Sequence, residues 1–413
     1  MAEQHGKALV PQIRFAGFTD PWEQRKLGEL YKEVSEKNDL TYGRDRIISV
    51  AHMYFNPVVY VTEDDYLKTY NVMRLGDIAF EGNRSKNFAH GRLVENTIGD
   101  GIVSHVFKVF RPIRPFDLMY WKYSINNEKA MKDVLTRSTK ASTMMHELVA
   151  KDFLNEEIAV PSLEEQRQIG AFFDRLDSLI TLHQRKYDKL CVLKKSMLDK
   201  MFPKGGSLYP EIRFAGFTDP WEQRKLGEVA SGFEYGLNAA ASDFDGEKKY
   251  LRITDIDDQT REFRTDDLSS PDINNPIDDR YLLKEGDILF ARTGASVGKT
   301  YLYKASDGKT YYAGFLIRAH VSDEADAGFI FQSTLTERYK QFVLLTSQRS
   351  GQPGINAQEY SDLLLPLPSL MEQRRIGAFF DRLDSLITLH QRKYCGVVSW
   401  MLGVALVRLS SEK

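Results

Sequence analysis

The sequence predicts an α+β protein in which two mixed α/β domains are joined by two long antiparallel helices, with pseudo-twofold symmetry from an internal duplication. Three observations predict it. Arg14–Glu29 (RFAGFTDPWEQRKLGE) returns unchanged as Arg213–Glu228, and Gly170–Tyr187 (GAFFDRLDSLITLHQRKY) returns unchanged as Gly377–Tyr394. The offsets of 199 and 207 residues lie far beyond the roughly 20–50-residue period of a solenoid or propeller. Residues 31–160 and 229–368, between the copies, show no such identity. One scaffold is therefore written twice around two different inserts.

In chain order the parts are a constant segment (1–30), a first domain (31–160), a helical spacer (161–206), the repeated lead-in (207–228), a second domain (229–368) and a second helical spacer (369–413). Within the first domain Ile102–Phe110 reads as a strand and Tyr120–Val134 as a helix. Asn83, Gly91, Gly99 and Gly101 punctuate its loops. A proline-bearing, strand-like phrase precedes each spacer, and Ser162 and Ser369 are N-cap candidates, each followed by Glu-Gln. From Glu164 to Met201 the pattern is helical: Ile169, Leu176, His183, Leu190 and Met197 at heptad position a, Phe172, Leu179, Lys186 and Leu193 at d, Phe173, Ile180 and Tyr187 at e. Pro203-Lys-Gly-Gly206 ends it. In the second domain Thr300–Tyr303 reads as a strand and Ala327–Leu345 as a helix, with Gly294 and Gly298 in a loop.

The second spacer repeats the stripe with Ile376, Phe379, Phe380, Leu383, Leu386, Ile387 and Tyr394. His183 and His390 share one a position, where a polar residue fixes helix register. After Tyr394 the copies part. Val397, Trp400, Val404 and Val407 keep the stripe, but Gly396 and Gly403 each cost about 1 kcal/mol relative to alanine in a helix interior. The last three turns are the least secure part of the expected pairing.

At 413 residues and 42% hydrophobic content the chain can build at least two cores. Its two cysteines, Cys191 and Cys395, suit a reducing cytoplasm better than a disulfide scaffold. The N-terminus lacks a signal-peptide core. The longest apolar stretch, Cys395 to Val407, is 13 residues, too short to span a bilayer. A net charge of −2 argues against indiscriminate nucleic-acid binding. Locally the balance differs. Residues 243–279 hold twelve acids against five bases, whereas from Ile288 to His320 five bases face only Asp307. From Ile78 to Arg114 six Lys/Arg, with His90 and His105, face three acids. Each insert so carries one positive segment in a comparable place, fit for a polyanion.

No catalytic signature survives inspection. Gly294–Thr300 has three residues between its glycines where a P-loop needs four, and a strand pattern follows it. Glu247-Lys-Lys249 reads as a charged turn, and the eight histidines form no metal-site spacing. What remains are two phrases of the form Gly-Asp-Ile-x-Phe, at Gly76–Phe80 and Gly286–Phe290, each leading into a glycine-bearing loop. The candidate DNA-binding residues lie there: Asn83, Arg84, Ser85, Lys86, His90 and Arg92 in the first, Arg292, Thr293, Ser296 and Lys299 in the second. Arginine and asparagine are strong base readers, and lysine and hydroxyls suit phosphates. A plain Gly-Asp turn with a solvated arginine explains the same letters.

These phrases, the Pro-x-x-x-Glu-Gln-Arg motifs at Pro161 and Pro368, the Trp22 and Trp221 lead-ins and the duplicated helices resemble the DNA-specificity (S) subunit of a type I restriction-modification system, from about Ile13 to Tyr394. The resemblance implies a subunit without catalysis of its own. Each insert would be a target-recognition domain reading one half of a bipartite site in double-stranded DNA. The helices would act as spacer and as docking surface for two methyltransferase subunits, through Ile169, Phe172, Phe173, Leu176 and Ile180 and their copies Ile376, Phe379, Phe380, Leu383 and Ile387. Restriction/translocase subunits would join that core. S-adenosylmethionine, ATP and Mg²⁺ would sit on the partners, with no cofactor or metal on this chain. An interaction scaffold that binds no DNA and a self-contained restriction or methylation enzyme are the alternatives.

Overall fold

The computed structural model describes residues 9–11, 13–58, 63–83, 85–141, 145–273, 276–348 and 351–407, with backbone alone at 276 and 394–407. It divides into two compact units, residues 1–181 with 400–413, and residues 182–399.

In the first unit a strand at Glu23–Lys26 (β1) leads through a single helical turn into β2 (Tyr31–Val34). The sheet continues with β3 (Ile78–Glu81), β4 (Arg92–Glu95) and β5 (Val109–Pro112), in the antiparallel order β2-β5-β3-β4. Helices α1 (Leu118–Ile125) and α2 (Glu128–Ser138) follow, then a hairpin of β6 (Thr139–Ala141) and β7 (His146–Leu148). Strand β8 (Glu157–Val160) returns to pair with β1, which closes the insert at its own base. The core is Leu27, Tyr31, Ile78, Phe80, Phe110, Trp121, Leu135 and Phe153, with Ile169 packed against it.

Two expectations need correction here. Ile102–Phe110 is not one strand: Gly101–Val103 and β5 lie in different sheets, separated by a turn in which Phe107 N–H donates to Ser104 C=O at 3.0 Å. Tyr120–Val134 is two helices, because the Asn127 side chain accepts from Lys129 and Ala130 N–H and starts a new one. Asparagine favours the cap over the helix interior because its amide competes for backbone groups.

The long helix α3 (Leu163–Met201) has 39 residues, about 58 Å at 1.5 Å per residue. Ser162 Oγ accepts from Glu165 N–H at 3.3 Å, as expected of the cap. Glu165, 1% exposed, takes a two-pronged ion pair from Arg14, with both N–O distances 2.7 Å. Gln166 donates to Pro161 C=O and accepts from Asp117 N–H, at the head of α1. At Gly170 a Cβ would stand 2.3 Å from Asp117 Oδ1, so α1 rests directly on the helix backbone.

The second unit repeats this construction. Strand β9 (Glu222–Lys225) precedes a sheet of β10 (Ala230–Tyr235), β11 (Asp287–Ala291), β12 (Thr300–Leu302) and β13 (Leu316–Val321), in the order β10-β13-β11-β12. The order matches the first sheet strand for strand, although the inserts share no extended identity. Helices α4 (Ala327–Ser333) and α5 (Glu337–Thr346) replace the single helix expected over Ala327–Leu345, since Thr336 caps a new start. Strand β14 (Leu364–Leu367) pairs with β9, and α6 (Leu370–Val407) follows. Arg213 grips Glu372 at 2.7 and 2.8 Å, Gln373 reaches Pro368 C=O and Asp326 N–H, and Gly377 lies under Asp326. Helix α6 runs unbroken through Gly396 and Gly403 to Val407. The side chains expected to carry the stripe there, Tyr394, Val397, Trp400, Val404 and Val407, lie outside those described.

Within this unit α3 and α6 run antiparallel. His183 Nδ1 meets His390 Nδ1 at 2.9 Å, and Lys194 Nζ meets Asp384 at 2.6 Å. Leu190, Met197 and Leu198 pack on the core that holds Ile376, Phe380 and Leu383. The seam keeps the a and e positions of the expected stripe and departs from it at d. Leu193, at d, is 39% exposed, whereas Tyr187 and Lys194, both at e, face inward with the a residues. Leu179, also at d, is 43% exposed. No helix among the described residues is long and apolar enough to cross a membrane.

One buried carboxyl makes a stability test. Glu95, on β4, is 3% exposed, and neither of its oxygens has a hydrogen-bond partner among the described residues. Burial, then the nearby Asp117, pushes its carboxyl up to about 9. A folded value above the unfolded one keeps the proton on in the folded chain while the unfolded chain ionises. Stability is therefore lost as pH climbs from about 4.5 to about 9, by at most about 1.4 kcal/mol per pH unit. Glu95→Gln is expected to stabilise the first unit by about 2–4 kcal/mol at pH 8 and hardly at all at pH 4.5. Thermal unfolding scans of both proteins at the two pH values check this.

Candidate nucleic-acid interface

The Gly-Asp-Ile-x-Phe phrases build the same device twice. Gly76 and Gly286 turn the chain with φ of 86° and 90°, a region open to glycine at no steric cost. Asp77 and Asp287, each 1% exposed, accept from the amide three residues back at 2.8 Å. Ile78 and Phe80 then enter the first core, Ile288 and Phe290 the second. The neighbouring strand supplies each aspartate with a partner: Arg111 forks onto Asp77 at 3.0 and 2.9 Å, and His320 Nδ1 lies 2.8 Å from Asp287. Burial raises the Asp77 carboxyl despite the arginine. The Gly-Asp pair is thus scaffolding, and what it aims is the hairpin loop beyond it.

In the first unit that loop joins β3 to β4. Asn83, Ser85 and Lys86 are exposed on it, and Ser85 Oγ holds the turn by accepting from Asn87 and Phe88 N–H. His90 stacks edge-on against His146 at 5.1 Å, so the β6–β7 hairpin packs beside the loop. His146 N–H also donates to Gly82 C=O. Arg92 is engaged elsewhere, with Nε on Glu81 at 2.7 Å and Nη2 on Ala51 C=O at 2.5 Å. Arg84 lies outside the described residues.

In the second unit the corresponding loop joins β11 to β12. Arg292 stands against two aromatic rings, its Cζ 5.0 Å from the Tyr235 centroid and 6.0 Å from that of Phe315. Tyr235 is 43% and Phe315 58% exposed. Backbone bonds pin the loop from two sides: Arg292 N–H to Phe315 C=O, Ile355 N–H to Arg292 C=O, and Gly294 N–H to Pro353 C=O. Thr293 Oγ1 donates to Pro353 C=O at 3.3 Å, and Ser296 ends a short 3-10 turn. Lys299 departs from expectation. It is 8% exposed, with Nζ on Ile256 C=O at 3.1 Å and on Asp258 at 2.5 Å. Such an ammonium holds a neighbouring loop down and is not presented to a phosphate.

The structure thus groups Asn83, Ser85, Lys86 and His90 on one hairpin and Arg292, Thr293 and Ser296 on its counterpart. It withdraws Arg92 and Lys299 into ion pairs. Sequence reasoning missed Tyr235 and Phe315, and also the 351–355 segment that clamps the second loop. The only sequence signal for that segment was its Gly351-Gln-Pro-Gly354 punctuation. The helix residues divide by copy. Ile376, Phe380, Leu383 and Ile387 are buried, whereas Ile169, Phe172, Phe173, Leu176 and Ile180 are half-buried, as is Phe379 in the second copy. Among the described residues no group of three or more His, Cys, Asp or Glu is placed to hold a metal ion.

Comparison with known proteins bears on the same organisation. The chain is 24% identical over 402 residues to the type I restriction enzyme MjaVIII specificity subunit of Methanocaldococcus jannaschii, covering 91% of this chain and 88% of that one. Among solved structures it is similar to the type I restriction-modification S subunit from M. genitalium, with a TM-score of 0.55 and 13% identity over 97% and 98% of the two chains. The HsdS subunit from Thermoanaerobacter tengcongensis gives 0.46 and 18% over 94% and 97%. At 13% identity the M. genitalium structure speaks for fold alone. The type I restriction modification DNA specificity domain matches twice, at residues 19–191 and 218–396. Each match spans one lead-in, one insert and most of one long helix, so the duplication seen in the sequence and in the two sheets is a duplication of that domain, and the chain belongs to the type I restriction-modification DNA-specificity family.

Proposed function

We propose that this chain is the DNA-reading, non-catalytic subunit of a type I restriction-modification complex, each unit reading one half of a bipartite site in double-stranded DNA. The observation that carries the reading is the pair of hairpin loops at equivalent places in two identically ordered sheets, one exposing Asn83 and Lys86 and the other holding half-buried Arg292 against the exposed rings of Tyr235 and Phe315. Frames that are identical and loops that differ suit two readers of different sequences. The paired helices serve as spacer and as docking surface for two methyltransferase subunits, which restriction/translocase subunits join. Leucines of the repeat support docking: Leu182 and its copy Leu389 are each 44% exposed, as is Leu386. The S-adenosylmethionine, ATP and Mg²⁺ used in catalysis belong to the partners, and the complex works in the cytoplasm.

Exchanging residues 229–368 for the insert of another family member tests the reading. The methylation pattern of cellular DNA, mapped with the complete complex, should change in one half-site only. A change in both halves together would sink the two-reader model.

Single substitutions sort the contacts. Arg292→Ala is expected to cost about 1–3 kcal/mol on specific DNA and much less on random DNA. Lys86→Ala should weaken both alike and lower the salt slope by roughly one. Gel-shift titrations over a salt series distinguish the two patterns.

The helices should act as a ruler. Because His183–His390 and Lys194–Asp384 fix the register of α3 against α6, an insertion in α3 alone breaks their pairing. Four residues inserted in both helices, after Tyr187 and before His390, add about 6 Å and nearly restore helical phase. The expected outcome is a target with unchanged half-sites and a spacer longer by about two base pairs, as read from the mapped methylation sites. An unchanged spacer would show that the helices do not set the distance.

A further inference from the structure

The unit of residues 182–399 contains a cavity of about 560 Å³ that the DNA-reading loops do not use. Its walls come from four places: Tyr187, Cys191 and Leu198 on α3, Ile387 on α6, Leu335 at the start of α5, and the loop 258–262. That loop is tied to both helices, by Tyr187 Oη to Gln259 at 3.5 Å and by Thr388 Oγ1 to Glu262 at 3.3 Å. The charges on the wall are unevenly satisfied. Each carboxylate already has a lysine: Asp384 with Lys194, Asp258 with Lys299, Glu262 with Lys304, Glu337 with Lys340, Asp199 with Lys204. Lys195 and Arg261, which line the same cavity, make no ion pair among the described residues. Arg261 is also held at φ 62°, a backbone conformation that a residue with a side chain keeps only where its surroundings impose it.

We propose that this cavity binds a free phosphorylated small molecule of nucleotide size, its phosphate on Arg261 and Lys195 and its apolar part against Leu198, Leu335 and Ile387. Lys195 and Arg261 stand outside the ion pairs of the described residues, with Asp257 and Asp258 acting on Arg261 only at longer range, and arginine meets phosphate through two parallel N–H donors. Thr336 and Glu337 bring the N-terminal end of a ten-residue helix to the wall. The volume falls within the roughly 300–1,000 Å³ usual for small-molecule sites. Walls on four segments suit a small molecule better than a rod of duplex DNA. A ligand there touches the second domain's loop and both helices at once, and so tightens the hold of that domain on its spacer.

Calorimetric titration of the full chain with ATP, and separately with pyrophosphate, tests the site. One ATP per chain is expected, and Arg261→Gln or Lys195→Gln should each weaken it at least tenfold. Cys191, half-buried on the wall, gives a second readout, since ATP should slow its alkylation by iodoacetamide in wild type but not in Arg261→Gln. Neither replaced side chain holds an ion pair, so both variants should keep the wild-type melting temperature. If Arg261→Gln does not fold, Lys195→Gln and the wild-type alkylation rates decide. The proposal is overturned if neither probe binds, if both variants bind ATP as tightly as wild type, or if target-free duplex DNA protects Cys191 and ATP does not.

Discussion

A buried arginine–glutamate fork, made once in each unit, holds the lead-in segment to the head of a long helix, and the remaining architecture is arranged around it. Glu165 and Glu372 are almost fully covered, so each ionised carboxylate depends on its arginine and on the cap beneath it. Removing one partner would leave a charge stranded in the interior. The next residue extends the junction. Gln166 and Gln373 tie the proline carbonyl of the preceding strand to the first amide of the insert's helix. Helix head, closing strand and insert meet within two residues. Gly170 and Gly377 complete the joint, since any side chain there would collide with Asp117 or Asp326.

This explains why the frames are identical and the inserts are not. Several frame residues have other frame residues as partners, Arg14 with Glu165 and Phe15 with Phe172 in one unit, Arg213 with Glu372 and Phe214 with Phe379 in the other. The inserts need only satisfy the joint and pack a sheet. They do so with different means: Asp77 is balanced by a guanidinium and Asp287 by an imidazole from the same place on the adjacent strand. Sheet order survives because it follows from where the chain enters and leaves the frame. Side chains on the hairpin loops are under no such constraint, which is where a protein can change what it reads without changing how it folds.

The helices show the same economy. The antiparallel pairing of a repeated sequence brings equivalent residues face to face, and His183 meets His390 nitrogen to nitrogen. One ring must donate and the other accept, so the two copies cannot carry the same tautomer. Burial and then the partner ring lower the His390 imidazole below its ordinary value, which favours its neutral form.

The sequence by itself determined the duplication, the two long helices, their caps at Ser162 and Ser369, and the loops on which a reader would sit. These are local or periodic signals: a repeat is visible letter by letter, a helix stripe recurs within a few turns, and a Gly-Asp turn is set by two residues. It could not show that Tyr120–Val134 and Ala327–Leu345 each break in two, because the caps at Asn127 and Thr336 compete with an otherwise continuous apolar pattern. Tertiary structure alone decided which charges face outward. Lys299 and Lys86 look alike in sequence, yet one is buried on Asp258, 41 residues away along the chain, and the other stays exposed on its loop. It also set Arg292 against Tyr235 and Phe315 and left Arg261 and Lys195 outside the ion pairs of the described residues, beside a cavity. The physical reason is the same in each case: an ion pair or a ring contact depends on distances across the fold, and those are fixed only when separate strands and helices pack together.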